Sequence, residues 1–75
     1  MNVQCKFFAG LRRKFGAKER VLELPDGARV GDVLRSLGLS AEESYIVLRN
    51  GVHADRGERL ADGDVLSLFP LIAGG

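Results

Sequence analysis

Helical periodicity is sustained in one stretch of this chain, VGDVLRSLG at residues 30–38, and this narrows the fold more than any other feature. Val30, Val33, Leu34 and Leu37 recur at the i, i+3, i+4, i+7 spacing that makes one apolar stripe. Each side chain, fully buried, contributes about 1.5–3 kcal/mol. Gly38 suits the left-handed position beyond a helix end, and Asp32 in the first turn complements the helix dipole. Arg29 is a poor N-cap. One stripe covers one face of one sheet, so the rest of the chain must supply that sheet and leave its other face open.

The flanking segments read as strands. NVQCKFF alternates, with Val3, Cys5 and Phe7 on one side and Asn2, Gln4 and Lys6 on the other. KERVLELP is expected to turn Leu22 and Leu24 inward before Pro25 and the PDG turn end it. YIVLRNGVH contains Asn50-Gly51 between apolar runs, a strong signal for a hairpin. ADRGERLADGD reads as a surface loop anchored by Leu60. DVLSLFP is the last strand, with Leu66 and Leu68 inward and Val65, Ser67 and Phe69 outward. Between the first two strands, GLRRKFG is bracketed by glycines. One helical turn there sets Leu11 and Phe15 over the core and points Arg12, Arg13 and Lys14 to solvent or to an acidic partner.

The predicted class is therefore α+β, a mixed sheet of four to five strands with one main helix on one face. The last, strongly apolar strand is placed centrally beside the first. That is a β-grasp arrangement over residues 1–70, with 71–75 as a flexible tail. A chain of 75 residues has room for one core. An apolar content of 45% with 28% charged residues is that of a globular domain.

Several chemistries find no support. A formal net charge of +1, without bases interleaved with aromatics, does not mark a nucleic-acid binder. Apolar runs of three or four residues fall far short of a membrane span, and the N-terminus does not read as a signal peptide. Cys5 is a lone cysteine, expected inward as a small hydrophobe, and a cytosolic setting is the expectation. His53 has no second ligand at metal spacing. No nucleophile–base–acid set and no phosphate loop is present, so the chain is not expected to be an enzyme or to bind a cofactor or metal.

What stands out is the ending, FPLIAGG. As bare residues it suits a frayed terminus as well as a working one. A main-chain carboxylate is a poor electrophile and must be activated, most simply as an acyl-adenylate. Gly74 and Gly75, without side chains, would thread a narrow passage to ATP in an activating enzyme. Ordering such a tail costs about 1–2 kcal/mol per residue, and Leu71 and Ile72 offer apolar anchors against that cost. Strand parity is expected to place Phe8, Val47 and Phe69 together on the face away from the helix, as a docking patch continuous with the tail.

These pieces resemble the MoaD/ThiS family of ubiquitin-like sulfur-carrier proteins. The resemblance rests on FFAGLRRKFG after the first strand, VGDVLRSLG, VLRNG, LADGDVLSLFP and the final AGG, and spans essentially the whole chain. Within the family the chain looks most like the small subunit of molybdopterin synthase. The resemblance implies that an E1-like adenylating enzyme uses ATP to activate the carboxylate of Gly75, which a sulfur donor converts to a thiocarboxylate. The tail would then enter a synthase large subunit that transfers sulfur to a pterin precursor. Gly74 would give passage, and Phe8, Phe69, Leu71 and Ile72 would contact partners. Shared tail chemistry leaves three alternatives open: a carrier for thiamine thiazole or tRNA thiolation, a ubiquitin-like protein modifier, and a plain interaction module.

Overall fold

In the computed structural model, residues 1–39 and 45–71 are described. The elements are β1 (Asn2–Phe7), α1 (Gly10–Phe15), β2 (Glu19–Glu23), α2 (Val30–Ser36), β3 (Tyr45–Arg49), β4 (Val52–His53) and β5 (Val65–Pro70). They form a five-stranded sheet in the order β2-β1-β5-β3-β4. β5 lies centrally, parallel to β1 and antiparallel to β3. This is the mixed β-grasp sheet the sequence predicts.

The helix side of the sheet carries the core. Val3, Cys5 and Phe7 of β1, Leu66 and Leu68 of β5, and Val30, Val33 and Leu34 of α2 are buried together. α1 is short but packs as expected: Leu11 is buried, and the Phe15 ring lies 4.5 Å from that of Phe7. Leu60 anchors its loop in the same core. No helix among the described residues is long and apolar enough to cross a membrane.

The ends of α2 show how its weak cap is tolerated. The Asp32 carboxylate accepts from the Arg29 backbone N–H at 2.8 Å. The next amides, of Val30 and Gly31, donate to the carbonyls of Glu58 and Arg56 at 3.0 and 2.8 Å. The loop at 56–58 thus satisfies donors that a capping side chain would otherwise take. A Cβ at Gly31 would stand 3.3 Å from the Arg56 carbonyl, so the loop's close approach favours glycine there. At the other end Gly38 adopts φ +74°, while the amides of Gly38 and Leu39 return to the carbonyls of Arg35 and Leu34 at 3.0 Å each. This is a Schellman ending. Asn50 and Gly51 both have positive φ, as a two-residue hairpin requires.

One placement differs from the sequence reading. Val47 was expected on the open face, but it is 4% exposed and lies in the core, opposite Leu68. Tyr45–Arg49 runs Ile46-Val47-Leu48 without a polar residue, so alternation gives no phase. Pairing with β5 sets the phase instead, and it turns Ile46 and Leu48 outward.

Candidate functional site

The face of the sheet away from α2 can be built from the strand registers. One row crosses Glu19, Lys6, Ser67, Leu48 and His53. The next row, where β5 ends, brings Phe69 beside Ile46. Phe8 joins it from the end of β1, its amide donating to the Leu68 carbonyl at 3.1 Å. The Phe8 and Phe69 rings are stacked with centroids 4.4 Å apart and planes at 13°. Both rings and Ile46 are half-buried, giving an apolar patch at this end of the open face.

Arg12 completes the patch. Its guanidinium lies 5.3 Å from the Phe8 ring centroid, and its Nε donates to the Phe7 carbonyl at 2.8 Å. The chain reaches this position through Ala9, whose φ of 53° and ψ of −133° suit glycine better than alanine. The arrangement is thus a layered stack of Arg12 on Phe8 on Phe69.

β5 delivers the chain to this stack. Its start is fixed by Asp64, whose carboxylate accepts from Arg49 Nε at 2.7 Å, the Ala61 amide at 2.8 Å and Asn50 Nδ2 at 3.0 Å. Burial alone would raise the Asp64 carboxyl, but these donors outweigh it and hold it below the ordinary carboxylate value. At the other end Pro70 closes the strand and Leu71 is 54% exposed. Ile72, Gly74 and Gly75 lie outside the described residues. Phe8 and Phe69 are brought together at the exit of β5, with Leu71 two residues beyond Phe69 in the chain; Val47 is not among them. The sequence reading missed Ile46, hidden in its apolar run, and the contact of Arg12 with the Phe8 ring, which has no signature in sequence.

Elsewhere, a groove of about 580 Å³ on the helix side is lined by Gly31, Arg35, Leu39, Arg56 and Gly57. Among the described residues no group of three or more His, Cys, Asp and Glu side chains could hold a metal ion. Cys5 is fully buried. Desolvation, only partly offset by the charge of Arg20, pushes its thiol up to about 11. It carries no nucleophilic thiolate at neutral pH.

The model of the ThiS family matches residues 5–75. Small archaeal modifier protein 3 of Haloferax volcanii is 39% identical, over 100% of both chains. The crystal structure of SAMP1 from Haloferax volcanii superposes with a TM-score of 0.85 at 31% identity, over 100% of both chains. A provisionally named molybdopterin converting factor subunit 1 from Pyrococcus furiosus gives a TM-score of 0.84 at 31% identity, over 96% of this chain and 99% of that one. By sequence across nearly its full length and by its β-grasp architecture, this chain belongs to the ThiS family, as a small protein of ubiquitin-like fold.

Proposed function

We propose that this chain is a sulfur carrier for molybdopterin synthesis, working through the carboxylate of Gly75. The carboxylate attacks the α-phosphate of ATP on an E1-like adenylating enzyme, and pyrophosphate leaves. A hydrosulfide equivalent then displaces AMP to give a thiocarboxylate. The carrier presents this group to a synthase large subunit, which supplies the catalytic residues. The chain's own part is to dock and to extend. Phe8, Ile46 and Phe69 meet the partner, Leu71 and Ile72 anchor the tail, and Gly74 lets it pass. One observation carries the reading: the central strand β5 delivers an exposed Leu71 two residues beyond Phe69 of the Phe8–Phe69 stack, four residues before Gly75. The likeness to the Pyrococcus furiosus protein supports the molybdopterin destination.

A second reading, protein modification, is favoured by the 39% identity to a small archaeal modifier protein. It shares the adenylate. A lysine amine, rather than sulfur, then displaces AMP to form an amide.

Reconstitution separates the two fates. The thiocarboxylated chain with a synthase large subunit should convert the pterin precursor to its dithiolene. Failure there, together with Gly75-dependent ladders on denaturing gels of cell extract, would assign the chain to modification.

A further inference from the structure

Charge is unevenly distributed along this chain. Residues 6–20 hold six cations, Lys6, Arg12, Arg13, Lys14, Lys18 and Arg20, against one carboxylate, Glu19. The remaining sequence holds five cations and nine carboxylates. A net charge near zero therefore conceals one strongly basic region.

The fold gathers that region at the exit of β5. Lys6 lies opposite Ser67 on the open face, two residues before Phe8, and α1 begins two residues after Phe8. Among the described residues none of the six forms an ion pair. Elsewhere, Arg35 pairs with Asp32, and Arg49 with Glu58 and Asp64. Arg12 and Arg20 are instead held over the Phe8 and Phe15 rings, 5.3 and 5.4 Å from their centroids. Cations of one sign left without carboxylates around an apolar patch raise the local potential and steer an oppositely charged surface onto it.

We propose that Lys6, Arg12, Arg13 and Lys14 form a basic rim around the Phe8–Phe69 patch that docks a protein whose apolar pocket is edged with carboxylates. The proposal rests on the docking role given to the patch above and adds the partner's chemistry. Arg12 links the two parts. Its guanidinium lies over Phe8 and its Nε is taken by the Phe7 carbonyl, which leaves the terminal nitrogens for a carboxylate of the partner.

The test is titration of the full chain with the source organism's own E1-like adenylating enzyme, at about 0.1 M and about 1 M salt, where the screening length falls from about 10 Å to about 3 Å. Arg13→Glu/Lys14→Glu is expected to weaken binding about tenfold or more at low salt and less than about threefold at high salt. Arg35→Glu, on the helix side, should change binding less than about twofold at either salt. Lys6→Glu repeats the test outside α1 should the double variant fold poorly. Equal effects of the rim and Arg35 variants, or a loss that salt does not relieve, would overturn the proposal. It is also overturned if a labelled single-stranded oligonucleotide, or a second copy of the chain in sedimentation, binds the wild type and is released by the rim variants. Phe69→Ala separates the two levels. Weakened binding by Phe69→Ala without an effect of the rim would leave the patch standing and remove the acidic partner. No effect of either would remove the docking role itself.

Discussion

Phe8, just past the end of β1, and Phe69, near the end of β5, lie face to face on the open side of the sheet, their ring centroids 4.4 Å apart. The parallel pairing of β1 with β5 produces this contact, since Phe7 is opposite Leu68 and the next residue of each strand turns outward. The same register that buries Phe7 and Leu68 thus builds the exposed patch one residue on.

Adjacent residues of β5 are accordingly expected to separate stability from binding. Leu68→Ala should cost about 2–5 kcal/mol in urea unfolding, as a core truncation does. Phe69→Ala should cost about 1 kcal/mol, mainly the ring pair, yet weaken partner binding at least tenfold, or about 1.4 kcal/mol, by calorimetry.

Val47 provides a check on the phase of β3. With its side chain opposite Leu68 in the core, Val47→Ala should lower stability by about 1–3 kcal/mol and leave affinity for the partner unchanged. Ile46→Ala, opposite Phe69, should do the reverse. Chemical denaturation and titration of both variants would show the exchange, and a loss of affinity confined to Val47→Ala would reverse the phase assigned to the strand.

The sequence made the local features of this fold legible and hid those made by distant pairs. The stripe of α2, the glycine after it and the Asn-Gly hairpin depend on neighbours a few residues apart. The outward position of Phe8 and Phe69 follows from strands with clear alternation. Ile46-Val47-Leu48 has no alternation, and its phase comes from β5, about twenty residues away. Asp64 stands in sequence only as the polar residue where loop meets last strand, because its partners Arg49 and Asn50 are 15 and 14 residues away. The sequence points Arg12 to solvent or to an acidic partner, because nothing linear records that a guanidinium lies on a ring.

The Asp64 network should show in the pH dependence of stability. A carboxyl held below its usual value stabilises the fold in its ionised form. That contribution is complete at neutral pH and is lost as pH falls from about 4 through the lower folded value. Asp64→Asn should lower stability at pH 7 by about 1–3 kcal/mol. It should also flatten the decline of the urea midpoint in acid. Parallel acid profiles for the wild type and Asp64→Asn would mean that the carboxylate does not hold β5.

Cys5 is expected to take no part in carrying sulfur. Its buried thiol, pushed up to about 11, should react with a thiol reagent at pH 8 only as fast as the protein opens. Cys5→Ala should still acquire sulfur. Rapid native labelling would show an accessible thiol, and loss of sulfur uptake in Cys5→Ala would give this residue a part in the transfer.

The central claim is tested most directly by intact-mass spectrometry of the full chain after incubation with ATP, a hydrosulfide source and its E1-like enzyme. The account predicts one oxygen-to-sulfur exchange, mapped by fragmentation to Gly75 and absent when Gly75 is deleted, with the thermal midpoint of the deletion variant unchanged. No gain in mass, a gain mapped to another residue, or a deletion variant that melts well below the wild type would contradict it.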